Sequence, residues 1–127
     1  MPFVEIFSPA SRLPAQNRKL ADAVHRALVA AIGIPADDRF QAILPSAQSE
    51  LIYDPSYLGV ERSAAFTLIR ITFRRGRSVE QKRALYRAIT DNANEAIDLR
   101  SEDIMVVLLE NDLPDWSFGK GIAQYTP

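Results

Sequence analysis

The stretch Ala31-Ile32-Gly33-Ile34-Pro35-Ala36-Asp37-Asp38-Arg39-Phe40-Gln41-Ala42-Ile43-Leu44 decides the fold, because it recurs sixty-five residues later. Its second copy is Ala96-Ile97-Asp98-Leu99-Arg100-Ser101-Glu102-Asp103-Ile104-Met105-Val106-Val107-Leu108-Leu109. Each copy reads as the end of a helix, an acidic turn and a strand. Outward from it, at the same offset, Gln16, Arg18 and Leu20 line up with Gln81, Arg83 and Leu85. Phe3-Val4-Glu5-Ile6 lines up with Leu68-Ile69-Arg70-Ile71. The spacing holds without a gap, so the chain reads as two fused β-α-β units. The expected organisation is a single domain over 1–127, with an internal repeat of 1–64 and 65–127. A length of 127 residues suits one domain able to bury about two-thirds of its extended-chain surface.

Within the first unit, a strand is predicted over Phe3–Phe7, broken by Ser8-Pro9-Ala10 because proline supplies no ladder donor. A helix follows from about Pro14 to Ile32, with Leu20, Val24, Ala27, Leu28 and Ala31 forming an apolar stripe at spacings of three and four. Pro14 suits a first turn, and Gly33 followed by Pro35 ends the helix. A second strand covers Arg39 to Leu44. The connection over 45–64 carries a possible short strand at Leu51-Ile52-Tyr53. In the second unit a strand is predicted over Phe66–Phe73. A helix then opens at Ser78, where Ser-Val-Glu-Gln forms a capping box closed by Gln81. Its core stripe is Leu85, Ile89, Ala93, Ala96 and Ile97. The last strand, Ile104–Leu109, is almost continuously apolar, the pattern of a strand covered on both faces.

The bulk numbers exclude several kinds of chemistry. A net charge of −1 gives no global attraction to nucleic acid or to an anionic membrane. No apolar run approaches eighteen residues and no signal-peptide pattern is present, so a cytoplasmic protein is expected. The absence of cysteine removes disulfides, thiolate catalysis and zinc–cysteine sites together. The single histidine, His25, cannot form a metal cluster, and it reads as a surface or rim residue of the first helix. No metal and no cofactor are expected.

Polar groups converge by topology. Each unit places its two strands parallel through a right-handed crossover. A pseudo-two-fold relation between the units makes the first and third strands antiparallel. Pro2, Asp38 and the run Arg74-Arg75-Gly76-Arg77 then gather at one end of the sheet. Several cations at a helix start oppose the macrodipole and one another, and a bound carboxylate would relieve both; from the charge run alone, a solvated turn with its charges splayed into water is the favoured reading. If Met1 is trimmed, Pro2 becomes a secondary amine that titrates within reach of neutral pH.

The residues Pro2, Gly33-Ile34-Pro35-x-x-Asp38-Arg39-Phe40-Gln41, Leu58-Gly59-Val60-Glu61-Arg62-Ser63, Arg75-Gly76-Arg77-Ser78-x-Glu80-Gln81-Lys82 and Asp115-Trp116-Ser117-Phe118-Gly119 together resemble the tautomerase superfamily. Within it they look like the malonate semialdehyde decarboxylase group. The resemblance implies an α/β (α+β) fold with a four-stranded mixed sheet, two helices on one face, and a homotrimer. It implies catalytic roles for Pro2, Asp38, Arg75 and Arg77, and substrate contacts from Arg74, Trp116, Phe118 and Tyr125. Gly76 stands where the decarboxylase pattern has proline, and Ser63 to Arg75 is one residue longer, so Arg74 remains an alternative to Arg75. Trp116 and Phe118 equally suit a core or a trimer interface. The expected activity is cofactor-independent decarboxylation of a small β-keto acid such as malonate semialdehyde. The alternatives are a keto–enol tautomerase or hydratase acting on a 2-oxo acid, and a non-catalytic trimeric ligand-binding protein.

Overall fold

Local signals set the helix limits. In the computed structural model, which describes residues 1–126, helix α1 spans Pro14–Ile32 with proline in its first turn. It stops at Gly33, whose φ of 69° and ψ of 30° suit a residue lacking Cβ. Helix α2, Val79–Ile97, begins at Ser78, whose hydroxyl accepts from the Gln81 N–H at 3.2 Å. The Gln81 side chain accepts in return from the Ser78 N–H at 3.0 Å, which completes the capping box. Asp98, the repeat partner of Gly33, ends α2 in the same left-handed region with φ 55°.

Four strands, β1 (Phe3–Pro9), β2 (Phe40–Ser46), β3 (Thr67–Arg74) and β4 (Ile104–Asn111), form one mixed sheet in the order β2-β1-β3-β4. Strands β1 and β2 run parallel, as do β3 and β4, while β1 and β3 are antiparallel. The offset of sixty-five carries one strand register onto another. The pair Phe3↔Phe40 becomes Leu68↔Met105, and Phe3↔Thr72 becomes Leu68↔Phe7. Glu5 and Arg70 are repeat partners that face each other across the centre, joined by two hydrogen bonds of 2.9 and 2.8 Å.

Alternate residues of the central strands point to the helices. Val4 and Ile6 of β1 and Ile69, Ile71 and Phe73 of β3 are buried under Leu20, Val24 and Leu28 of α1 and Leu85 and Ile89 of α2. Each such side chain contributes roughly 1.5–3 kcal/mol as an upper figure, so this face holds the two units together.

Two expectations need correction. The apolar β4 is covered on one face only: Met105, Val107 and Leu109 remain 45%, 36% and 42% exposed on the face away from the helices. Its outward residues belong to an open sheet face that also carries Phe3 and Phe40. No strand forms at Leu51–Tyr53. Ile52 projects into solvent, while Tyr53 stacks on Phe66 at 4.4 Å and donates to Ser63 O at 2.8 Å, so side-chain anchoring replaces pairing. Among the described residues, no helix is long and apolar enough to cross a membrane.

Candidate active site

Chain direction assembles the site. Strands β1 and β2 start at the same edge because they are parallel, and antiparallel β3 ends there. A cavity of about 400 Å³ at this edge is lined by Met1, Ile34, Asp38, Arg74, Arg77 and Tyr125, among others. Met1 and Pro2 are buried; the Met1 ammonium pairs with Asp38 Oδ2, and the Pro2 nitrogen is here a peptide nitrogen. The turn after Gly33 delivers Asp38: its N–H donates to Pro35 O at 3.0 Å, just before β2 begins.

Opposed fields act on the amine. Burial first, then the positive charges of Arg77 and Arg74, lower its pKa from 8.0 to about 6. The Asp38 carboxylate in contact with it pulls the other way, favouring the cation. The amine therefore sits where either protonation state is accessible near neutrality. Arg77 is half-buried, with its guanidinium 5.2 Å above the Phe73 ring and Nη1 donating to Arg74 O at 3.1 Å. Burial and the neighbouring Arg74 lower its pKa, while Glu110 opposes them.

Of the arginines singled out by sequence, Arg74 and Arg77 line the cavity and Arg75 does not. Arg75 extends the β3–β4 pairing, donating its N–H to Asn111 O at 2.9 Å. Its guanidinium then pairs with exposed Asp112 at 3.1 Å. Tyr125 reaches the cavity. Trp116 and Phe118 wall a neighbouring cleft with Phe3 and Phe40. Their rings stack at 5.7 Å, and Phe118 meets Tyr125 edge-on at 5.2 Å, which joins the two recesses through one aromatic wall.

Some participants escaped sequence reading. Leu113 and the 32–35 segment also line the cavity. His25, read from sequence as a surface or rim residue, is buried, with Nε2 2.7 Å from Ala36 O. The signal was present: Ala21, His25, Leu28 and Ile32 recur at helical spacing, and all four are buried. Among the described residues, no group of three or more His, Cys, Asp or Glu side chains is arranged to hold a metal ion.

A duplicated β-α-β sheet with two helices on one face is the tautomerase fold. A family model described as tautomerase enzyme matches residues 38–119. The chain is 40% identical, over 98% of both chains, to the probable tautomerase YusQ of Bacillus subtilis (strain 168). In structure it is similar to the FG41 malonate semialdehyde decarboxylase inhibited by 3-bromopropiolate, with a TM-score of 0.91 and 36% identity over 97% of this chain and 93% of that one. It is also similar to a fused 4-OT symmetric trimer, with a TM-score of 0.77 and 25% identity over 94% of each chain. The chain belongs to the tautomerase family, and it is an enzyme of lyase or isomerase type.

Proposed function

We propose that this enzyme is a cofactor-independent, cytoplasmic decarboxylase of a small β-keto acid such as malonate semialdehyde, working as a homotrimer after removal of Met1. The observation that carries this reading is a cavity at the start of β1 that brings Asp38, which pairs with the Met1 ammonium one residue before Pro2, together with Arg74 and Arg77. The likeness to malonate semialdehyde decarboxylase supports it. The open apolar sheet face and the likeness to a trimeric fused 4-OT support the assembly.

In this reading Arg77 and Arg74 hold the substrate carboxylate and turn it out of the carbonyl plane, so that the breaking C–C bond aligns with the π system. The Pro2 ammonium donates a hydrogen bond to the carbonyl oxygen and stabilises the developing enolate. The bond to the carboxylate breaks, its electron pair passes into the enolate, and CO₂ leaves. The enolate carbon then takes a proton, giving the aldehyde. Asp38 keeps the amine cationic and oriented. Arg75, tied to Asp112, braces the β3–β4 end.

One observation favours a second reading. Burial and the charges of Arg77 and Arg74 lower the pKa of the Met1 amine to about 6, and the same surroundings acting on Pro2 after Met1 is removed would favour a neutral base, as a keto–enol tautomerase requires. The experiment first establishes by intact mass that Met1 is absent, then supplies malonate semialdehyde and a phenylpyruvate enol to wild type and Pro2→Ala. CO₂ release that disappears in Pro2→Ala supports the decarboxylase. Pro2-dependent ketonisation without CO₂ release replaces it with the tautomerase.

A further inference from the structure

Asp38 follows a turn, residues 33–37, and helix α1 grips the chain on both sides of it. Before Asp38, His25 Nε2 lies 2.7 Å from Ala36 O. A carbonyl oxygen only accepts, so Nε2 carries the hydrogen. After Asp38, Arg39 donates through Nη2 to Asp22 Oδ1 at 2.6 Å and through Nε to Gln41 Oε1 at 2.8 Å. Gln41 Nε2 in turn donates to Ala21 O at 2.8 Å. Ala21, Asp22 and His25 occupy little more than one turn of α1. Both flanks of the carboxylate are thus fixed to the same rigid segment.

The second repeat supplies an internal comparison. At the common offset, Ala21, Asp22 and His25 become Tyr86, Arg87 and Thr90, while Arg39 and Gln41 become Ile104 and Val106. The Thr90 hydroxyl donates to Tyr86 O and Arg87 O of its own helix. The side chains of Ile104 and Val106 form no hydrogen bonds. The contact from α2 to its turn is a long one, Asn94 Nδ2 to Leu99 O at 3.4 Å. Asp103 is instead held by Ser63 and Arg100. The left-handed cap and acidic turn form in both halves, so the fold does not require the His25 and Arg39 anchors. They occur in the half whose carboxylate meets the amine.

We propose that His25 and the Asp22–Arg39–Gln41 bridge are positioning groups that hold the Asp38 carboxylate against the amino-terminal amine. The inference rests on reading Pro2, whose amine takes the place of the Met1 ammonium beside Asp38 once Met1 is removed, as the working group of the site. Around the amine stand Asp38 from the turn, Arg74 at the end of β3, Arg77 beyond it, and Tyr125 from the carboxy-terminal segment. Asp38 alone among them favours the cation. Loosening Asp38 leaves burial and the arginines to lower the amine's pKa further.

The test is titration of nitrogen-15-labelled Pro2 in the protein lacking Met1, a readout independent of which reaction is catalysed. Asp38→Asn should lower the Pro2 pKa by about one unit or more. His25→Leu and Asp22→Asn should each produce part of that shift. His25→Gln keeps an N–H donor and should produce less. Adding His25→Leu to Asp38→Asn should lower the pKa no further. If Asp38→Asn shifts Pro2 while His25→Leu and Asp22→Asn lower only the melting temperature, the positioning role is overturned and the site reading stands. If Asp38→Asn leaves Pro2 unmoved, the site reading falls and takes this inference with it. Should His25→Leu not fold, Asp22→Asn decides by the same criterion.

Discussion

Replacing Arg77, Arg74 and Arg75 one at a time by alanine should produce three different losses. Arg77 is half-buried against the Phe73 ring and faces the cavity. At an effective dielectric of about 20, two unit charges about 4 Å apart attract by about 4 kcal/mol. Stripping water from the substrate carboxylate offsets part of this. Arg77→Ala should therefore cost about 2–4 kcal/mol of transition-state stabilisation, or about 30- to 1,000-fold in kcat/KM. Arg74 lines the same cavity but is exposed, so water screens it, and Arg74→Ala should cost about 5- to 30-fold. Arg75 is 64% exposed outside the cavity and pairs with Asp112, itself 60% exposed. Its removal should change kcat/KM by less than about twofold and stability by about 0–1 kcal/mol. The assay is kcat/KM for decarboxylation, with calorimetric binding of an unreactive dicarboxylate to isolate carboxylate affinity. If Arg75→Ala is as damaging as Arg77→Ala while Arg74→Ala is silent, the assignment drawn from the cavity is refuted.

The pH dependence carries a sign that separates acid from base chemistry. If the Pro2 ammonium is the working form, kcat/KM should fall as pH rises through its pKa; Asp38→Asn should move that limb to lower pH, and Arg77→Ala, which removes a charge that lowers the pKa of the neighbouring Met1 amine in the untrimmed chain, to higher pH. A limb that rises with pH through the same region, followed in a pH–rate profile, would identify the neutral amine instead. Asp103 is buried and accepts from the Ser63 N–H and hydroxyl and from Arg100, so Asp103→Ala should cost about 2–4 kcal/mol and lower the melting temperature by roughly 6–16 °C in calorimetry. Burial alone would raise the Asp103 pKa, but Arg100 and Ser63 outweigh it and hold it below 3.8. Its stabilisation is therefore present above about pH 4 and should be lost as acid titration passes through the lowered value, a loss absent from Asp103→Ala. Val107→Glu places a charge on the open sheet face and should dissociate the assembly in light scattering; a wild type already monomeric at micromolar concentration would refute the assembly itself.

Helix limits were legible because their causes are local. Pro14, Gly33, Ser78 and Gln81 act within a turn of themselves, and the structure uses each where sequence places it. The gathering of Asp38 with Arg74 and Arg77 was legible for another reason: repeat and strand direction fix which ends meet. The choice between Arg74 and Arg75 was not legible. It depends on where β3 stops pairing with β4, and that pairing extends beyond Arg74 through the Arg75 N–H to Asn111 O. His25 was obscured because a polar residue beside an apolar stripe has two solutions, solvent or a buried partner. The partner, Ala36 O, is a backbone atom and leaves no mark in the sequence.

Duplication made two copies of the unit, yet the proposed function uses an amine at only one of the two sites that they form. At the common offset Pro2 corresponds to Thr67, Asp38 to Asp103, Arg74 to Pro9 and Arg77 to Arg12. A peptide nitrogen at Thr67 has no basic lone pair and carries no charge, so a carboxylate and a guanidinium beside it meet no ammonium there. At the symmetry-related site they are turned to structural use. Arg12 donates to Thr67 Oγ1 at 2.8 Å and to Ala65 O at 3.1 Å. Asp103 binds the Ser63 segment and Arg100. A buried charge without partners costs several kcal/mol, so the second copy had either to lose these residues or to satisfy them internally. It satisfied them. The site that keeps Asp38 and Arg77 open to a cavity is the one where the proposed function places the Pro2 amine.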